Sequence, residues 1–327
     1  MSRVVGCAGT SHSPLLALPP VPGWRLRAEA DETGLTPLFD HAGKPRTYEE
    51  LRELAGDRYL SELDADVWEQ KYQRCKEAIK RLAYDIASLS PDLLIVIGDD
   101  QEELFSQSNN PSIAVSYAST LQSAGSDEPA HSEATLFRKG LGMDGKLYPG
   151  DSGAALHVIE QLMNAHFDLA VVGEVPDDSG FGHAFTWVLS RLFDGPPVPC
   201  IPILLNTYYP PNQPSPRRCL EFGRVLRLAC ESLPGSRRVV IVASGGLSHF
   251  LVNLELDEAV LRAIKHHDGT ALSALPAAML TSGTSEVRNW IAMSGASEGL
   301  EGHWTEYQPV YRTAAGTGCG LAFTLLS

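Results

Sequence analysis

Between Asp66 and Leu89 the apolar positions Val67, Tyr72, Cys75, Ile79, Leu82 and Ile86 recur at helical spacing, with Lys and Glu on the opposite face, and this predicts an amphipathic helix. Pro91-Asp92 stops it, and the uninterrupted apolar run Leu93-Leu94-Ile95-Val96-Ile97 has the character of a parallel strand buried on both faces. Similar short runs occur at Val4 to Ala8, Leu169 to Val172, Ile201 to Leu205 and Val239 to Ala243, and most of them empty into turn-forming residues. Arg218 to Leu233 and the stretch from Asp257 to Ile264 read as helices between or after these strands. The alternation predicts an α/β protein with a mainly parallel central sheet flanked by helices, read as one domain over 1–327. After the first strand, Pro20 to Asp64 shifts to Pro, Gly and charge, with Trp24, Phe39, His41 and Tyr48 interspersed, and is expected to be an inserted surface loop, a lid or an oligomer contact.

Composition narrows the partners. A formal charge of -14 without a basic cluster argues against nucleic acid. No uncharged apolar run approaches the roughly 20 residues of a membrane helix, and the N-terminus runs straight into a strand without a secretory signal, so a cytoplasmic protein is expected. Cys7, Cys75, Cys200, Cys219, Cys230 and Cys319 are scattered without CxxC spacing, which predicts buried free thiols.

In doubly wound sheets, ligands sit beyond the carboxyl ends of the strands. Four such ends carry polar residues here: His12, the Gly98 to Glu102 segment, Asn206 with the tyrosines after it, and Ser248-His249. Taken singly, His12 is more readily a structural hydrogen-bonder, Gly98 to Glu102 a helix N-cap and Glu286 a surface carboxylate at a helix start. The stretch Ala243-Ser244-Gly245-Gly246-Leu247-Ser248-His249 has neither GxGxxG nor GK[ST] spacing, and GxSxG is absent, which weighs against a nucleotide site and a serine hydrolase. Two glycines before Ser248-His249 suit a tight turn that aims His249 into a cleft.

Along nearly the whole chain, Thr10-Ser11-His12-Ser13-Pro14, Ile97-Gly98-Asp99-Asp100-Gln101, Ala130-His131, Gly182-His183, Asn206-Thr207-Tyr208-Tyr209-Pro210-Pro211, Gly245-Gly246-Leu247-Ser248-His249 and Ser285-Glu286 with Trp290 form an ordered set. That set resembles the class III extradiol ring-cleavage dioxygenases, nearest the gallate and 3-O-methylgallate branch. The resemblance implies Fe(II) held by His12, Gln101 and Glu286, with Gln101 standing where the family usually has histidine. It implies a catalytic base at His249, substrate or oxygen contacts at His131 and His183, and extradiol cleavage of a substituted catechol with O2. Tyr208, Tyr209 and Tyr311-Arg312 are expected around the pocket, where a cation suits a ring carboxylate. A homo-oligomer is expected. Two further readings stay open: a non-catalytic binding or partner subunit, because Gln101 replaces an iron ligand, and a metal-dependent hydrolase in the same cleft.

Overall fold

The computed structural model describes residues 1–125, 138–175, 180–193 and 198–327. The strands are β1 (Arg3–Thr10), β2 (Leu38–Phe39), β3 (Pro45–Arg46), β4 (Leu93–Gly98), β5 (Ile113–Ser116), β6 (Thr120–Gln122) and β7 (Leu147–Pro149). They continue as β8 (Ala170–Val172), β9 (Cys200–Leu205), β10 (Arg238–Ser244), β11 (His249–Leu251), β12 (Gly302–Tyr311) and β13 (Thr317–Leu326). At the centre of the large sheet, β1, β10, β4 and β9 lie side by side and parallel. Antiparallel strands flank them: β5 beyond β9, carrying β8, and β13 beyond β1. One edge of β13 pairs with β12, and the other is shared by β1 and β11.

The continuous apolar runs are explained by a sheet covered on both faces, because successive side chains point to opposite sides. From β4, Leu93, Ile95 and Ile97 enter the core beneath helices Ser152–Asn164, Pro216–Glu231, Leu254–Lys265 and Val287–Ala296. Leu94 and Val96 enter the opposite core, with Trp68, Leu82 and Ile86 of helix Ala65–Ser88 and Phe185 and Val188 of helix His183–Arg191. The predicted helix from Asp66 and the strands at Val4, Leu93, Leu169, Ile201 and Val239 all form, each within a few residues of its expected bounds. All six cysteines are buried and free. No described helix is long and apolar enough to cross a membrane.

Three regions differ from the sequence reading. Gly98 to Glu102 opens no helix; Asp100 instead accepts from the Leu104 and Phe105 amides at 2.9 and 3.0 Å and shapes a turn. The β12–β13 hairpin had no expected counterpart, because every residue of β13 is buried and its side chains lack the in-out alternation of a half-exposed strand. The segment from Pro20 to Asp64 is folded: helix Pro20–Glu32, the β2–β3 hairpin, helix Tyr48–Ala55 behind a Thr47–Glu50 capping box, and the 3-10 turn Leu60–Leu63.

That segment is fixed by buried groups of its own. Trp24 is fully buried, donates its indole N–H to the Leu15 carbonyl at 2.7 Å and tilts against Trp68. Asp31 is grasped by Arg312 through Nε at 2.5 Å and Nη2 at 3.1 Å, and also accepts from Thr317 Oγ1 at 2.6 Å. Removing one partner of such a buried pair would strand the other charge at a cost of about 3–5 kcal/mol, so this contact seats helix Pro20–Glu32 firmly against β13.

Candidate active site

Parallel alignment brings the carboxyl ends of β1, β10, β4 and β9 to one edge of the sheet, and the residues just beyond them meet there. His12 follows β1, which ends opposite Ser244 in the ladder. Its Nδ1 lies 2.9 Å from Ser244 Oγ. Asp99 follows β4 and is almost wholly buried. Glu286 arrives from elsewhere, at the end of the 3-10 turn Ser282–Glu286 and ahead of helix Val287–Ala296. Every residue of that helix is buried, so Glu286 is carried beneath the surface rather than displayed on it.

One ligand atom from each of His12, Asp99 and Glu286 falls within 4.8 Å of the others. His12 Nε2 is 3.6 Å from Glu286 Oε2 and has no hydrogen-bond partner although it is buried. Asn289, one turn beyond Glu286, donates to the Ser244 carbonyl at 2.9 Å and reaches Asp99 Oδ1 at 3.5 Å. Burial would raise the Glu286 carboxyl, but the facing imidazoles of His249 and His12 and the Gly246 N–H outweigh it and hold it down to about 2. Asp99 is pushed up by burial and by the charge of Glu286, against the pull of His12 and His183. Two buried carboxylates facing an unpaired imidazole nitrogen form a donor set suited to a divalent cation, whose charge would offset their desolvation. The residues therefore fit a metal.

Gln101, expected as the middle ligand, places its amide Nε2 3.0 Å from Asp99 Oδ2, so it stands beside the carboxylate and donates to it. Asp99 lay in the motif read from the sequence, but only its burial beside His12 and Glu286 distinguishes it from a capping acid. Asn289 and Ser244 were not anticipated; the single signal available was the three-residue spacing that puts Asn289 on the same helix face as Glu286.

The Gly245-Gly246 pair shapes the loop after β10. Gly245 has φ +149°, a conformation that side-chain-bearing residues rarely adopt, and its carbonyl accepts the Trp290 indole N–H at 2.7 Å. Gly246 donates its N–H to Glu286 Oε2 at 2.7 Å, and a Cβ there would sit 2.1 Å from the His249 ring. Backbone and imidazole thus approach the carboxylate together. His249 Nδ1 is 3.0 Å from the Leu247 carbonyl, which can only accept, so Nδ1 carries a proton and Nε2 is the nitrogen left facing Glu286 at 3.9 Å. Burial opposes charge on His249, yet Cys319 and Glu286 raise it to about 10. Ser248 is fully buried and serves the loop's structure: its hydroxyl donates to buried Asp257 at 2.6 Å, and the same carboxylate takes its amide at 2.8 Å.

His183 lies edge-on to His12, with ring centroids 4.6 Å apart, and its Nδ1 is 2.6 Å from Glu103 Oε1. His131 falls outside the described residues. Tyr208 sets its hydroxyl 3.3 Å from Ser282 Oγ, close enough to feel Glu286 and Asp99.

The Glu103–His183 pair has a measurable pH signature. For Glu103, burial is outweighed by His183 and the carboxyl falls from 4.5 to about 2. For His183, burial is outweighed by Glu103 and the imidazole rises from 6.5 to about 9. The carboxylate's share of stability is present above 4.5 and lost toward 2, while the imidazole's share is present below 6.5 and lost through 9. Urea unfolding of Glu103→Gln should therefore show a deficit of about 3 kcal/mol between those two ordinary values, shrinking as pH rises above 6.5 and through about 9. A deficit independent of pH would mean that no ion pair exists.

Residues 59–322 match the family described as the catalytic LigB subunit of aromatic ring-opening dioxygenase. That stretch includes Asp99, Gln101, His249 and Glu286 and begins after His12. A gallate dioxygenase of Pseudomonas putida is 34% identical over 100 residues, 31% of this chain and 29% of the relative. A 2,3-dihydroxyphenylpropionate/2,3-dihydroxicinnamic acid 1,2-dioxygenase of Comamonas testosteroni is 27% identical over 173 residues, 53% of this chain and 48% of the relative. The aligned stretches thus span half or less of these curated relatives' own lengths.

Proposed function

This chain belongs to the family of the catalytic LigB subunit of aromatic ring-opening dioxygenases, and from that membership we propose that it cleaves the ring of a substituted catechol beside its hydroxyl pair, incorporating O2 with Fe(II). The observation that carries the reading is the buried cluster of His12, Asp99 and Glu286 with an unpaired His12 Nε2. These three residues would hold the iron, with Gln101 and Asn289 steadying Asp99 and Ser244 orienting His12. When bound, a divalent iron supplies a site at which catechol oxygens and O2 are brought together.

The remaining work belongs to the chain's own groups. His249, with Nδ1–H fixed on the Leu247 carbonyl, presents Nε2 to accept a catechol proton and to return one as the ring opens. Cys319 and then Glu286 hold the imidazole charged, and a cation in the cluster would cancel the Glu286 share, bringing His249 back toward the range in which it works as a base. His183, clamped by Glu103, would present its free edge to the substrate or to oxygen beside His12. Ring opening is favoured over hydrolysis because the reaction for which the family is described is aromatic ring opening by a dioxygenase.

Anaerobic loading with Fe(II), followed by oxygen-electrode assays against 3,4-dihydroxybenzoate, gallate, 3-O-methylgallate and plain catechol, tests the reading. About one iron per chain and iron-dependent oxygen uptake are expected with at least one of them. A chain that retains no metal would sink it.

A further inference from the structure

Three arginines, Arg27, Arg288 and Arg312, are buried or half-buried on segments around the site, and two of them are fully engaged. Arg312 is neutralised by Asp31. Arg288 is buried and donates to the Pro214 and Leu280 carbonyls at 2.9 and 2.8 Å. Arg27 is different. It is half-buried on helix Pro20–Glu32, and among the described residues it has no ion pair and no hydrogen bond.

Its direction is set by Asp31, one turn further along. Residues four apart share a helix face, and Asp31 binds that face to Arg312 on the site side of β13, where Arg312 also reaches Cys319 Sγ at 3.7 Å. Cys319 is the ladder partner of His249. Arg27 is thereby brought near Arg312, Cys319 and Tyr208, and Tyr208 in turn is near Glu286 and Asp99. Burial disfavours the Arg27 cation most, with Arg312 adding to it and Cys319 and Asp31 offsetting part of it, and an anionic ligand would relieve the remainder. A planar guanidinium with its donors free is well matched to a carboxylate.

We propose that Arg27 is the specificity-determining residue of the site, binding the carboxylate of an aromatic acid whose catechol end reaches the His12, Asp99 and Glu286 cluster past Tyr208. The inserted segment then forms one wall of the substrate pocket. This selects acidic catechols over neutral ones with a group that precedes the stretch matching the family. The proposal rests on the ring-opening reading for its substrate, but the charge recognition can be measured without turnover.

The experiment compares 3,4-dihydroxybenzoate with 4-methylcatechol, which replaces the carboxylate by a methyl group, in wild type, Arg27→Gln and Arg27→Lys. In the iron-loaded enzyme, the ratio of kcat/KM for the acid to that for the neutral catechol should fall about 100-fold in Arg27→Gln, mainly through KM, with partial recovery in Arg27→Lys. In the metal-free full chain, equilibrium dialysis should show the acid binding at least about tenfold more weakly to Arg27→Gln than to wild type. An unchanged ratio, or equal losses for both ligands, overturns the proposal, as does a metal-free wild type that binds the acid no better than the neutral catechol. Oxygen uptake absent with both ligands, alongside acid binding that still depends on Arg27, would uphold the carboxylate site and reject the ring-opening reading.

Discussion

Replacing Glu286 by glutamine should abolish stoichiometric iron binding and, with it, iron-dependent oxygen uptake. Glu286 brings one of two buried carboxylates to His12, and its Oε2 lies 3.6 Å from the unpaired Nε2. The amide keeps the shape but removes the anionic donor, so the loss should exceed the roughly 10- to 100-fold typical of residues that only support a ligand. Equilibrium dialysis with Fe(II) under anaerobic conditions measures it directly. Parallel variants at the middle position resolve the third ligand: Asp99→Asn should match the loss in Glu286→Gln, whereas Gln101→Ala should show only the supporting-residue loss. Full retention of iron in Glu286→Gln would remove the cluster from consideration as the metal site.

The second large effect is expected at His249. His249→Gln should keep about one iron per chain, because its ring is not part of the cluster, yet lose about 10²- to 10⁴-fold in kcat, the usual contribution of a positioned acid–base group. In wild type the acid limb of the pH–rate profile should rise as the imidazole sheds its proton, and that limb should disappear in the variant. A variant that loses iron along with activity would instead make His249 a ligand. Retention of wild-type kcat would leave the proton transfer without an owner in this pocket.

Much of the site could be read before any contact was known, and the reasons are local. His12 and His249 follow short apolar runs and small-residue turns, which marks them as strand-end residues wherever the strands go. Glu286 carried no such mark. Its neighbours Val287 to Ala296 are buried all round, polar residues included, so the helix has no exposed stripe from which its depth could be inferred. The same holds for β13, whose apolar and glycine-rich sequence does not alternate. In Pro20 to Asp64 the abundance of Pro, Gly and charge suggested an excursion over the surface, yet Trp24, Asp31, Leu38 and Leu51 are buried in it. Composition averages over a segment, while seating depends on a few anchors.

Legible along the chain are the alternation of strands and helices, the buried parallel centre of the sheet, the free thiols and an ordered set of strand-end residues specific enough to point to one family. Each of these follows from side-chain period, turn chemistry or order along the chain, which neighbouring residues carry among themselves. Tertiary contacts alone bring Asp99 to His12 and Glu286, set Gln101 beside it, pair Asp31 with Arg312 and leave Arg27 without an ion pair or hydrogen bond among the described residues. Those meetings join residues as far apart as 190 positions for Asp99 and Asn289 and 281 for Asp31 and Arg312. Strand order and register bring such pairs together, and no local pattern encodes either, because the free energy that fixes them comes from burying whole faces of helix and sheet against one another.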